Sequence, residues 1–220
     1  MTVNGVLKRG IYVLQKEGIR TFLSQVFSFL GSFFYGRGSY YIYEKTLTKN
    51  ERYQFNTKLQ NATIKIISAP EEFEQLVSDG YDFKMILFKD KLKKGAVAFC
   101  AFANKELAHV TWAALNEKAK KEIDYLPFEV AFQNKEVCSG ASFTEPKYRG
   151  KGLFSYIYAY IFPYLAQRGM VKDKFTIEVN NISSQKALAK FNPIITGKGH
   201  YLKILWWKFW KEEPIKGAKI

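Results

Sequence analysis

Residues 136–168 constrain this chain more than any other stretch. Glu136 to Thr144 reads as a strand. Gly152 to Arg168 carries Leu153, Ile157, Tyr160, Ile161, Tyr164 and Leu165 at the 3.6-residue period of a helix face. Between them lies Pro146-Lys147-Tyr148-Arg149-Gly150-Lys151-Gly152-Leu153. Glycines at 150 and 152 let the backbone come close to an anion. The first-turn amides of the helix, from about Arg149 to Phe154, have no intrahelical acceptor and point outward. Arg149 and Lys151 add positive charge, the helix dipole favours the same ligand, and Pro146 stiffens the entry. The turn suits a pyrophosphate. The same spacing also describes an ordinary strand-to-helix connection, and the residues alone leave both readings open. A P-loop is disfavoured because no Gly-x-x-x-x-Gly-Lys-Ser/Thr occurs. Ser155 stands where a Gly-x-Gly-x-x-Gly needs its third glycine.

Upstream of this unit the pattern changes near residue 60, and a boundary is expected between Asn50 and Asn61. Val3 to Tyr35 has helical apolar spacing, with breaks at Gly10 and Gly18. Gly36-Arg37-Gly38 then turns the chain into a strand at Ser39–Tyr43. After the boundary come a strand at Thr63–Ile67 and a helix opened by Ala69-Pro70-Glu71-Glu72. Lys84–Lys93 is ambiguous. A hairpin follows over Ala96–Ala103 and Leu107–Leu115, turning at Asn104-Lys105. A second pair is expected over Phe128–Gln133 and Glu136–Thr144. Pro163 removes a hydrogen bond inside the helix after Gly152 and should kink it. Lys174–Val179 reads as a strand and Ser183–Phe191 as a short helix capped near Asn181. Ile194 to Trp210 reads as two aromatic strands about a turn at Gly197-Lys198-Gly199. The expected fold is a mixed α/β domain over 60–217, with a largely antiparallel central sheet and flanking helices. A helical N-terminal extension over 1–55 precedes it.

The chain has 34 Lys and Arg against 20 Asp and Glu, a formal net charge of +14, and 47% hydrophobic residues. A full core can be buried, and an anionic partner is expected: a nucleotide, a nucleic acid, an acidic glycan or an anionic membrane face. Cys100 and Cys138 are spaced for neither a zinc site nor a disulfide framework, so buried thiols and no metal are expected. No run of about 18 apolar residues suggests a spanning helix, and the N-terminus does not read as a signal peptide. A cytoplasmic protein is expected, with contact at the inner membrane face left open.

Thr144-Glu145-Pro146-Lys147-Tyr148-Arg149-Gly150-Lys151-Gly152-Leu153 resembles the acetyl-CoA-binding motif of the GNAT acetyltransferase superfamily. Asn181-Ile182-Ser183-Ser184, followed by Leu188-Ala189-Lys190-Phe191, resembles that superfamily's next motif. The resemblance covers residues 63 to 217. It implies acetyl-CoA, or another acyl-CoA, as co-substrate, and direct transfer from the thioester to the primary amine of a small molecule or glycan. It implies that Phe143 and Thr144 bond the pantetheine through their backbone. Arg149, Gly150, Lys151, Gly152 and Leu153 would hold the pyrophosphate, while Asn181 and Ser184 touch the pantetheine arm. A strand amide near Thr144 would polarise the thioester carbonyl.

The sequence departs from the superfamily at three places. Leu188 stands where a Tyr often protonates the leaving thiolate, Asn192-Pro193 replaces Gly-Phe, and Lys147 occupies a Gln/Arg position. Tyr201 is therefore the candidate acid, beside the reading that no acid is used. Glu178 is the candidate base, followed by Glu145 and Glu129; each also reads as a surface or ion-paired carboxylate. His109 reads as a half-buried, hydrogen-bonded residue or as an acceptor-site group, and His200 as exposed in a turn. Residues 19–35 read as a packing helix, at a homodimer or on the domain itself, or as an in-plane membrane helix. Two other functions stay in view. One is an aminoacyl or longer-chain acyl transferase acting on cell-envelope or glycan amines. The other is a basic nucleic-acid-binding module, although the dispersed lysines and lack of a known motif speak against nucleic acid.

Overall fold

The computed structural model describes residues 35–83 and 88–219, with side chains through 215. The expected helical segment from Val3 onward lies outside the described residues, apart from Tyr35. Two compact units divide the chain, one of Met1–Gly38 with His200–Lys211, the other of Ser39–Gly199 with Glu212–Ile220.

The larger unit is built on strands β1 (Tyr35–Thr46), β2 (Ala62–Ile67), β3 (Ala96–Ala103), β4 (Glu106–Ala114), β5 (Glu136–Thr144), β6 (Lys172–Glu178), β7 (Ile194–Ile204) and β8 (Trp207–Lys219). Strands β1, β7 and β8 each run on into the smaller unit. Helices α1 (Pro70–Ser78), α2 (Phe88–Lys93), α3 (Glu117–Ile123), α4 (Leu153–Gln167) and α5 (Ile182–Ala189) complete it. The sheet order is β2-β3-β4-β5-β6-β1-β7-β8. The pairs β2–β3, β3–β4, β4–β5 and β1–β6 are antiparallel, and β5–β6 is parallel. The mixed α/β class and the largely antiparallel sheet are those expected.

The β3–β4 hairpin turns at Asn104 and Lys105, both with positive φ (49° and 67°), the twist that a two-residue hairpin turn needs. Every residue of β3 is buried. Helix α4 lays Ile157, Ile161 and Leu165, all fully buried, onto a core that includes Phe99, Val137, Phe175 and Phe191. Each such side chain contributes about 2 kcal/mol of burial. Pro163 sits inside α4.

Three expectations about the elements change, and one open stretch is assigned in part. Gly36-Arg37-Gly38 is strand, not turn, and β1 pairs with β6 from Tyr40↔Glu178 to Thr46↔Lys172, so residues 39–46 belong to the central sheet rather than to an extension. Phe128–Gln133 is not a strand. Leu126, Phe128 and Val130 are buried alternately, which imitates strand periodicity, but the segment leads into a 3₁₀ turn at Phe132–Asn134. There Lys135 is left-handed (φ 60°), and the Glu136 carboxylate accepts a hydrogen bond from the Ala131 amide. Gly197 and Gly199 lie within β7, and the chain reverses instead at Leu205 (φ 57°) and Trp206. A Cβ on Gly197 would come 3.3 Å from the Glu213 carbonyl oxygen, so this glycine serves close strand approach. In the ambiguous stretch Lys84–Lys93, residues 88–93 form α2 and 84–87 lie outside the described residues.

Candidate functional site

Strands β5 and β6 are ladder partners only at Glu136↔Lys172 and Val137↔Asp173, and then part. On its other side β5 stays paired to β4 as far as His109↔Thr144, with a register shift between Val110 and Trp112. The extra residue lies near Ala141, which has φ 48°, and the bulge re-aims the strand end. From Gly140 to Thr144, β5 thus has no ladder partner on its β6 side. An exposed strand edge presents N–H and C=O groups to an extended ligand that carries amides.

A cleft of about 670 Å³ opens at this point. Phe143, Thr144, Arg149, Gly150, Lys151, Gly152, Leu153, Asn181 and Ser184, which sequence reasoning placed apart on two motifs, all border it. Gly150 (φ 74°) and Gly152 (φ 77°) are both left-handed, and Gly152 is the residue that enters α4. Few side-chain-bearing residues adopt that conformation without strain. The Lys151 carbonyl accepts hydrogen bonds from the Lys58 amide and the Thr57 hydroxyl, each at 3.0 Å, so the loop after β1 braces the turn. Arg149 Nε donates to the Thr144 carbonyl at 3.2 Å, tying the turn to the end of β5. Asn181 caps α5, its side chain accepting from the Ser184 amide at 3.1 Å.

Charge on the cleft wall is of one sign. Arg149, Lys151, Lys186 and Lys190 line it, and no carboxylate does. Lys186 escaped the sequence reading, and Lys190 stood within the second motif without a role; their four-residue spacing after Asn181 places them on one face and was the available signal. Lys147, by contrast, pairs with Glu106 at 2.6 Å.

Across the β4–β5 pair runs a buried polar chain. His109, fully buried, has Nδ1 2.7 Å from Thr144 Oγ1 and Nε2 2.9 Å from Thr111 Oγ1; Thr111 Oγ1 is 2.8 Å from Ser142 Oγ. Burial lowers the imidazole pKa to about 4, so the ring is neutral near pH 7. His109 is thus more deeply enclosed than the half-buried residue expected. Deeper, fully buried Asp173 accepts from the Ser139 amide (2.9 Å) and lies 2.6 Å from the Ser139 hydroxyl. Burial pushes its carboxyl up to about 7 against these bonds.

The other candidates fall as follows. Glu178 ends β6, exposed, and is the ladder partner of Tyr40. Thr176, two residues earlier, bonds Asp124, whose carboxyl is raised by burial. Tyr201 is buried on β7 within the smaller unit, and His200 lies in the same strand rather than in a turn. Leu188, buried in the core, fills with hydrocarbon the position where the resemblance places a Tyr. Glu129 is exposed, and Glu145 lies at the end of β5. Cys100 and Cys138 are buried, with thiols raised by burial. Among the described residues no group of three His, Cys, Asp or Glu is placed to hold a metal ion, and no helix is long and apolar enough to cross a membrane.

No family model matches the chain, and no curated protein matches it. Solved structures do share features of its fold. A Drosophila protein of 13% identity matches with a TM-score of 0.49 over 84% of this chain and 58% of its own. A GCN5-related N-acetyltransferase from Sphaerobacter thermophilus matches at 10% identity and 0.48, over 90% and 58%. A GNAT-family acetyltransferase from Colwellia psychrerythraea matches at 13% and 0.44, over 77% and 55%. This chain therefore spans little more than half the length of these proteins. None of the scores reaches 0.5, and the chemistry of the cleft is read from its own residues.

Proposed function

We propose that this protein is an acyltransferase that binds an acyl-CoA, acetyl-CoA first among them, and passes the acyl group to a primary amine. The observation that carries this reading is the joining of three features in one cleft: an open strand edge, a two-glycine turn at a helix entrance, and four cations with no carboxylate. Pantetheine is a chain of amides and suits the edge at Phe143–Thr144. A pyrophosphate suits the amides from Gly150 to Leu153, the Arg149 amide being already given to the Pro146 carbonyl at 3.3 Å, and Lys186 and Lys190 suit the remaining phosphate charge.

In the reaction the amine nitrogen attacks the thioester carbonyl, a C–N bond forms, the C–S bond breaks, and the ammonium releases its proton. Holding the two reactants together lowers the entropic part of the barrier. A backbone amide of the β5 edge stabilises the oxyanion. Glu178 is the base, beside the splay where an amine would approach. A thiolate leaves well near neutral pH because a thiol pKa is about 8.5, so a Leu at position 188 does not prevent departure.

The test is thiol release from acetyl-CoA across amino sugars, polyamines, amino acids and peptide N-termini. Release with one amine class is expected, and Glu178→Gln should lower kcat about a hundredfold while coenzyme affinity holds. Absence of release with every amine, from acetyl-CoA and from longer acyl-CoAs alike, would remove the transferase reading.

A further inference from the structure

The smaller unit, Met1–Gly38 with His200–Lys211, takes no part in the cleft chemistry proposed above, yet its composition is extreme. It holds eight Lys and Arg against a single carboxylate, Glu17. Its described part includes the β7–β8 turn, where Ile204, Leu205, Trp206, Trp207 and Phe209 are exposed at 43%, 38%, 74%, 60% and 51%. The sixth residue of this run is Lys208, also exposed, and Lys203 and Lys211 flank it.

A strand near a sheet normally hides one of its two faces, because successive side chains alternate. Here the neighbours Trp206 and Trp207 are both in solvent, with ring centroids 6.1 Å apart and planes at 74°. Single exposed apolar residues are ordinary in soluble proteins, but five in six consecutive positions at a hairpin tip are not. Trp and Phe favour the boundary between headgroups and acyl chains, while Lys reaches past its own hydrocarbon stem to the headgroups. Such a tip needs an occupant that is apolar at the centre and negative around it. A second copy of this chain would set Lys203 and Lys208 against their own copies, so like charge disfavours a homodimer through this face. An anionic bilayer satisfies both demands.

We propose that the β7–β8 tip docks this protein onto an anionic lipid surface, with Leu205, Trp206, Trp207 and Phe209 entering the interface and Lys203 and Lys208 on phosphate headgroups. The proposal is independent of the acyltransferase reading. It does not require a membrane-spanning segment.

The experiment is co-sedimentation of the full chain with vesicles of phosphatidylcholine alone or mixed with phosphatidylglycerol. Partition into the mixed vesicles should exceed that into phosphatidylcholine by about tenfold or more and weaken in salt. Trp206→Ser with Trp207→Ser should lower it by about tenfold or more, and Lys203→Ser with Lys208→Ser should remove the preference for phosphatidylglycerol. Far-UV circular dichroism and a urea midpoint matching wild type establish that the variants fold. Equal partition of wild type and folded variants overturns the proposal. So does failure of wild type to sediment with either vesicle, whether accompanied by a dimer that the Trp variants dissolve or by salt-sensitive oligonucleotide binding.

Discussion

The His109 imidazole stands with Nδ1 2.7 Å from Thr144 Oγ1, joining the end of β5 to its sheet neighbour β4. Through Nε2 and Thr111 the same ring reaches Ser142, which lies two residues before Thr144 and also lines the cleft. In the neutral ring one nitrogen donates and the other accepts, and hydroxyls complement either arrangement. The bulged end of β5 is thus pinned at two points by one uncharged side chain. A pKa near 4 makes His109 too weak a base for an ammonium at neutral pH, so its role is to position.

Replacing His109 with Phe should leave the buried Thr111 hydroxyl short of a partner and cost about 1–3 kcal/mol in a urea unfolding experiment. The dissociation constant for acetyl-CoA should rise in the same variant, and His109→Gln should recover part of both losses. Unaltered coenzyme affinity in a folded His109→Phe protein would deny the ring any hold on the strand end.

Two buried groups give stability opposite pH slopes. His109 titrates near 6.5 when unfolded and about 4 when folded, so its contribution is complete above 6.5 and is lost as pH falls toward 4, about 3 kcal/mol in all. Asp173 is raised from 3.8 to about 7, so its contribution is complete below about 4 and is lost as pH rises toward 7, about 4 kcal/mol. Between pH 4 and 6.5 the two slopes offset each other. Urea midpoints across this range should climb with pH in Asp173→Asn and descend in His109→Gln, relative to wild type. Parallel curves for all three proteins would contradict the assignment.

Lys186 and Lys190 carry half of the cleft's positive charge. Changing both to Ala should weaken coenzyme A binding by about tenfold and flatten its dependence on salt, read by isothermal titration calorimetry. Acetyl-pantetheine, which has no phosphate, should bind the double variant and wild type equally. A uniform loss for both ligands would place these lysines in folding instead of phosphate binding.

Much of this arrangement was legible because it is local. Gly150 and Gly152 announce a left-handed turn, Asn181 announces a cap, and the Asn104-Lys105 hairpin follows from its two flanking apolar runs. Other features depended on partners distant in sequence. The period-two burial of Leu126, Phe128 and Val130 is that of a strand, but no strand accepts it as a neighbour. Gly197 looks like a turn residue until the Glu213 backbone lies 3.3 Å from where its Cβ would be. His109 reads as a half-buried histidine because Thr144, which bonds its Nδ1, lies 35 positions away in the sequence. The α5 lysines became a cleft wall only once β5 and β6 were seen to part.

The most direct measurement is calorimetric titration of wild type and Gly150→Glu with acetyl-CoA and with acetyl-pantetheine. A carboxylate at this left-handed position would stand in the anion's place. Wild type should bind acetyl-CoA far more tightly than acetyl-pantetheine, and Gly150→Glu should erase that advantage while leaving acetyl-pantetheine affinity unchanged. Equal acetyl-CoA affinity in the two proteins would contradict a pyrophosphate site at the Pro146–Leu153 turn.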